Sequence, residues 1–255
     1  MKRITLILIL ISTICISQNC DTDITNTRRT QITEIAEPYS LIVQMTMKRG
    51  KSYNGTSFFI HPRVLLTAGH NLRKRPQLIF TRVKNLILRF GAIDSNTNLY
   101  EMNLKTFQNE NIYTLESFNN NYSVQEDYGV IILPDDTAYK KVGGNRTFKL
   151  SFIENDLPEK IINISGYPGD KDFCTQWQDS TSNFYLKNNR LKYDFKTEHG
   201  LSGGPIWIKS QENEYNVIGI HTNGQDKGCT TGTIITKEIY DDIIKFCQTK
   251  GIDLF

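Results

Sequence analysis

The sequence predicts an all-β molecule closed by one C-terminal helix. Three observations carry this. Runs rich in Ile, Val, Phe and Tyr recur at 40–47, 55–60, 63–68, 85–90, 128–133, 160–166, 203–209, 215–221 and 232–236, as strands do. Gly, Asn, Asp and Pro clusters punctuate them, and those residues supply the backbone angles of turns. Helical periodicity is convincing mainly at 236–249, where Ile239, Ile243, Phe246 and Cys247 share one face. Thr236 stands where a cap belongs, and Glu238 falls in the first turn, where the helix dipole favours a negative charge.

Taken in chain order, the first element is a signal segment. Met1-Lys2-Arg3 is basic, and 4–16 is almost entirely apolar. That run has the length of a secretory h-region and falls short of the ~20 residues that span a bilayer. Cleavage after Ser17, with Cys15 at −3, leaves 18–30 as an arm or short pro-segment and 31–255 as the folded domain. The expected location is extracellular, with no membrane anchor. Cys20, Cys174, Cys229 and Cys247 then remain. An even number in an exported chain points to disulfides, with three possible pairings.

An all-β chain of 255 residues is commonly a pair of barrels or one sandwich. No internal repeat interrupts it, and the Asn run 119–121 reads as a surface loop. Hydrophobic residues at 38% and charged residues at 22% exclude a disordered chain. A formal charge of +3 lacks the dense basic stripe that nucleic acid requires. The histidines His61, His70, His199 and His221 are scattered, so no metal is expected. No phosphate loop or dinucleotide fingerprint appears, so no cofactor is expected either.

Three segments carry chemistry. Leu65-Leu66-Thr67-Ala68-Gly69-His70 is a strand ending at a small-residue turn with a histidine. Glu126-Asp127-Tyr128-Gly129-Val130-Ile131-Ile132-Leu133 puts an acid just before an apolar strand. Gly200-Leu201-Ser202-Gly203-Gly204-Pro205 sets a serine in a glycine-rich loop. A serine hydroxyl is a weak nucleophile until an imidazole takes its proton. The imidazole needs a carboxylate to fix its tautomer and balance its cation. The oxyanion needs backbone N–H donors, for which Gly200 and Ser202 stand two residues apart. Singly each segment is weak; together, in the order His, Asp, Ser, they point to acyl transfer.

These segments resemble those of the trypsin-like (chymotrypsin-fold) serine proteases, over roughly 30–247. The glutamyl endopeptidase, or V8-like, branch is the nearer likeness, through Arg29-Thr30-Gln31-Ile32-Thr33, Gly166-Tyr167-Pro168-Gly169-Asp170-Lys171, Tyr193-Asp194 and Val217-Ile218-Gly219-Ile220-His221. The resemblance implies a double β-barrel with the active site between barrels. It casts His70 as base, Asp127 as its orienter and Ser202 as nucleophile, with the Gly200 and Ser202 amides as oxyanion hole. It further implies a monomeric enzyme acting on protein or peptide substrates.

That branch cuts after Glu, and sometimes Asp. Thr197, five residues before the serine, and His221 match its substrate pocket, and Thr222, Asn223 and Gly224 continue the wall. A hydroxyl and an imidazole, partly or fully protonated, would supply charge-assisted donors to a carboxylate. A protonated His221 would make Glu binding weaken at higher pH. The implied barrel also favours the bridges Cys174–Cys229 and Cys20–Cys247. A mature terminus near 21–24, with little or no propeptide, follows from the same likeness.

The sequence departs from the branch at Leu201, where Asn is usual, and at Asp226, an acid close to the pocket strand. Glu198 and His199 beside the serine are unusual too, and 73–85 and 100–121 read as enlarged loops. Two alternatives stand beside the glutamyl-specific reading. One is a protease of the same fold with another preference at P1, the residue before the cut bond. The other is a protease-like binding protein without turnover.

Overall fold

A computed structural model describes residues 28–49, 51–74, 81–82, 85–104, 110–121, 123–153, 161–210, 214–226 and 229–254. The signal segment, Cys20 and most of the 18–30 arm lie outside the described residues.

Two large sheets organise the described residues, beside a two-stranded ribbon of Arg73–Lys74 and Thr81–Arg82. The first runs, edge to edge, through Tyr100–Leu104, Asn85–Phe90, Ile42–Arg49, Lys51–His61, Val64–Thr67, Gly129–Ile132 and Ile112–Thr114, every pair antiparallel. The second runs through Thr30–Ile32, Gln176–Thr181, Ile162–Gly166, Pro205–Lys209, Tyr215–Asp226, Cys229–Ile234, Arg190–Tyr193 and Phe184–Lys187. Lys149–Leu150 joins it in parallel against Tyr215–Asp226. This is the expected all-β architecture, built on two sheets with one long C-terminal helix.

The apolar runs became the central strands. Val64–Thr67 and Gly129–Ile132 are buried at every position, which is why they read as continuous hydrophobic stretches rather than as alternation. Their register pairs Gly129 with Thr67. The residues flanking that pair, Asp127 on one side and His70 on the other, therefore emerge at the same end of the sheet.

The polar strands were harder to see. Gln176–Thr181, Phe184–Lys187 and Arg190–Tyr193 were not expected, because each mixes charged or amide side chains with few aliphatics. The last two form a hairpin around Asn188 and Asn189, whose φ values of 54° and 55° belong to a two-residue type I′ turn. Tyr100–Leu104 and Ile112–Thr114 likewise show that 100–121 is not simply an enlarged loop. Nor is 119–121 a loop: it ends the helix Glu116–Asn121.

The C-terminal helix Lys237–Thr249 starts as expected, with the Thr236 hydroxyl accepting from the Ile239 amide at 3.3 Å. Ile239, Ile243 and Cys247 are buried, and Phe246 stacks on Tyr113 at 4.7 Å between ring centroids. On the same helix Asp242 accepts from the hydroxyls of Tyr113 at 2.9 Å and Tyr128 at 2.5 Å. The chain's end is thereby strapped to the residue that follows Asp127. Burial holds the Tyr128 phenol protonated, with the Asp242 carboxylate reinforcing it.

The cysteines depart from expectation. Cys174 and Cys247 are both free and buried, so neither Cys174–Cys229 nor Cys20–Cys247 forms. Burial pushes the Cys174 thiol up to about 11 and the Cys247 thiol to about 12. Both behave as small core residues. Cys229 is not one of the free thiols.

Candidate active site

His70 sits in the short helix Gly69–Leu72, immediately after the strand Val64–Thr67 and Ala68. Gly69 is required there: a Cβ would stand 2.8 Å from the Tyr128 carbonyl and 3.2 Å from Asp127 Oδ1. Asp127 follows the 3-10 turn Val124–Glu126. Its Oδ1 accepts from the His70 amide at 2.8 Å, and its Oδ2 lies 2.7 Å from His70 Nδ1. A carboxylate accepts, so Nδ1–H donates this bond and Nε2 is the ring nitrogen turned away from Asp127. Asp127 is 2% exposed and the His70 side chain 24%.

Ser202 sits in the loop before the strand Pro205–Lys209. Gly200 and Gly203 have φ of +97° and +91°, a region that side chains disfavour. A Cβ on Gly200 would also lie 2.4 Å from the Tyr167 carbonyl. The first sheet and the short helix of His70 grip this loop. The Thr56 amide and Asn71 Nδ2 donate to the Ser202 carbonyl at 2.9 and 2.8 Å, and Thr56 Oγ1 donates to the Gly200 carbonyl at 2.8 Å. Neither the Gly200 amide nor the Ser202 amide donates to an acceptor among the described residues. Leu201 is buried beside Gly166. The Ser202 hydroxyl lies 3.5 Å from the Thr222 carbonyl, and Ser202 and His70 line one cavity of about 530 Å³.

The expected pocket wall is the strand Tyr215–Asp226. The His221 amide donates to the Gly204 carbonyl at 2.9 Å, and its carbonyl accepts from the Gly203 amide at 2.7 Å, so this strand is pinned to the serine loop. Thr222 is buried, and its hydroxyl has no partner among the described residues. The backbones of Asn223, Gly224 and Asp226 continue the strand, while the Asn223 and Asp226 side chains lie outside the described part. Thr197 Oγ1 stands 3.5 Å from Thr230 Oγ1.

His221 corrects one expectation. It is 2% exposed, and its Nδ1 lies 2.7 Å from the Tyr193 hydroxyl. Burial, with the charges of His70 and Arg190 adding to it, pushes its pKa down to about 3. The imidazole is therefore neutral in the free protein, not partly protonated. Burial also holds the Tyr193 phenol protonated. Its hydroxyl donates to Nδ1, which leaves the His221 proton on Nε2.

Two residues of this region were missed as site components. Tyr193 entered only as part of a likeness, with nothing local marking its partner 28 residues away. Arg190 is 6% exposed. It donates to the hydroxyls of Thr231 at 2.6 Å and Thr233 at 3.2 Å, and to the Val124 carbonyl. The Thr233 hydroxyl donates to that same carbonyl at 3.2 Å. The second sheet thus holds the turn that delivers Asp127. The arm before residue 31 is anchored as well: Arg29 pairs with Asp170 at 2.6 Å and Arg28 with Asp194 at 3.0 Å.

Comparison with known proteins fits this geometry. Residues 24–244 match the Trypsin family. A glutamyl endopeptidase of Bacillus licheniformis is 30% identical over 230 residues, 84% of this chain and 66% of its own length. A protein of Bacillus subtilis named extracellular metalloprotease is 24% identical over 226 residues, with the same coverage of 84% and 66%. The chain thus spans just under two thirds of both relatives. Among the described residues no three His, Cys, Asp or Glu side chains gather as a metal-binding group. A solved structure of a Glu endopeptidase in complex with MPD superposes with a TM-score of 0.71 at 25% identity, over 86% of this chain and 96% of that one.

Proposed function

The chain belongs to the trypsin family, and on that premise we propose that it is an exported serine endopeptidase that cuts after Glu or Asp. One observation carries the reading. The His70–Asp127 pair, closed at 2.7 Å, opens onto the same cavity as Ser202.

The chemistry follows from the atoms. Ser202 Oγ attacks the carbonyl carbon of the scissile bond, and His70 Nε2 takes its proton. Asp127 balances the imidazolium that forms. The amides of Gly200 and Ser202 receive the oxyanion, and one such donor is typically worth ~2.7–4 kcal/mol. His70 then protonates the departing amine. Water, activated by the same nitrogen, hydrolyses the acyl-enzyme.

The pocket reading rests on donors rather than on a fixed cation. A carboxylate entering a dry pocket loses hydration, which is costly unless donors replace the water. The His221 Nε2–H and the Thr197 hydroxyl supply two, and the substrate carboxylate itself raises the proton affinity of His221 once bound. The backbones of Thr222, Asn223 and Gly224 pair with the substrate in β fashion. The 30% identity to a glutamyl endopeptidase supports the choice of Glu. The neutral state of His221 favours a second reading, the same protease with an uncharged P1 residue such as Gln. Export rests on the segment 1–17. The protein acts as a monomer on protein or peptide substrates.

Matched peptides with Glu, Asp, Gln, Lys or Phe at P1, run beside Ser202→Ala, test this. Glu cleavage that vanishes in the variant is expected. Cleavage after Gln at an equal rate replaces the acidic preference with the second reading. A protein that neither cleaves nor reacts with a fluorophosphonate at Ser202 is a binding protein, and the proposal fails.

A further inference from the structure

We infer that the cavity beside Ser202 is a subsite for a large apolar side chain, aromatic above all, on the leaving-group side of the scissile bond. The inference rests on the protease reading and adds a second specificity to it. The cavity, of about 530 Å³, is lined by Ser202 and His70 but by none of Thr197, His221 or Thr222. Those three belong to the wall expected to hold P1. A space that shares the nucleophile and base but not that wall lies on the side where the amine departs. Its volume falls within the ~300–1,000 Å³ usual for ligand sites.

The lining sets the chemistry. Met47, 3% exposed, adds a thioether to the lining, and Tyr53, 40% exposed, adds an aromatic ring. Both come from the hairpin of Ile42–Arg49 and Lys51–His61. The exposed His199 stands among the lining residues too, beside the serine loop, which gives this otherwise unexplained residue a purpose. Gly169 packs closely on His199 through an amide-to-carbonyl bond of 2.5 Å, and a Cβ there would lie 2.8 Å from that carbonyl. Asn54 Oδ1 is already engaged by Thr46 Oγ1 at 3.2 Å and Gln44 Nε2 at 3.4 Å. No Asp, Glu, Lys or Arg lines the cavity among the described residues. No Asp, Glu, Lys or Arg is there to pair with a charged side chain, while a ring between Tyr53 and His199 would bury apolar area and stack.

The test is a peptide series with the P1 residue held at whichever one the protein cleaves, and Gly, Asp, Leu or Phe placed in turn at P1′ and P2′. The readout is the ratio of kcat/KM values within each variant, which cancels changes common to all substrates. Phe over Gly by ~10-fold or more at one of these positions is expected. The ratio should fall toward one in Tyr53→Ala and in His199→Ala. In Tyr53→Lys the preference should move toward Asp. Equal cleavage of the Gly and Phe peptides by the unaltered protein overturns the subsite and leaves the protease standing. A Phe preference that survives all three substitutions also overturns it. Failure to cleave any member overturns the protease reading and the subsite together.

Discussion

Two histidines stand in the region of the site, and the fold treats them oppositely. His70 keeps 24% of its side chain exposed and is held by the carboxylate of Asp127. His221 is 2% exposed and is held by the phenol of Tyr193 at 2.7 Å. A carboxylate partner stabilises positive charge on an imidazole; a phenol partner in a buried site only selects the tautomer. One histidine is therefore held as the proposed base requires. The other is equipped to present an N–H without changing state. The lesson is that a histidine's role is set by its partner and its burial, not by its neighbours in the chain.

The largest expected effect comes from breaking the charged side of this comparison. Asp127→Asn keeps the shape but loses the anion and the tautomer preference. A loss in kcat of ~10⁴ is expected, measured on the peptide the protein cleaves best, with thermal unfolding to check the fold. A loss below tenfold would remove Asp127 from the mechanism.

Tyr193→Phe sharpens the neutral side. It leaves Nδ1 of a buried imidazole without its donor, at a cost of about 1–3 kcal/mol, and frees the ring to carry its proton on the wrong nitrogen. For Glu peptides kcat/KM should fall ~10-fold, mainly through KM, while labelling of Ser202 by a fluorophosphonate stays near normal. Equal losses in cleavage and labelling would show that Tyr193 supports the triad instead.

The last expected effect is on stability and not on rate. The folded pKa of His221, about 3, lies below the ~6.5 of a free imidazole. Between those values the unfolded chain holds the extra proton, so stability rises with pH across the window and is lost as pH falls through it. Unfolding near pH 5 should take up about one proton from this residue. Subtracting the pH slope of His221→Asn from that of the unaltered protein measures it, and identical slopes would contradict the neutral assignment.

Legibility differed from residue to residue. His70, Asp127 and Ser202 were readable because each sits at the junction of an apolar strand and a turn, and such junctions leave local marks. The pocket strand was readable for the same reason. Arg190 and Tyr193 lie on a short polar strand, Arg190–Tyr193, whose burial comes from the Cys229–Ile234 strand paired with it. The protonation state of His221 and the status of Cys174 and Cys247 were misjudged because each depends on surroundings assembled from distant segments.

By itself the sequence determined the β-rich class, the capped terminal helix, and the order and identity of the residues that approach one another in the cleft. Hydrophobic runs, turn residues and caps act over a few positions, so they are written locally. Only the tertiary structure decided that Thr56 of the first sheet and Asn71 of the short helix grip the Ser202 loop. It alone decided that Arg190 holds the turn before Asp127 and that His221 is neutral. Hydrogen-bond partners and desolvation arise between segments up to 166 residues apart, and no local pattern records them.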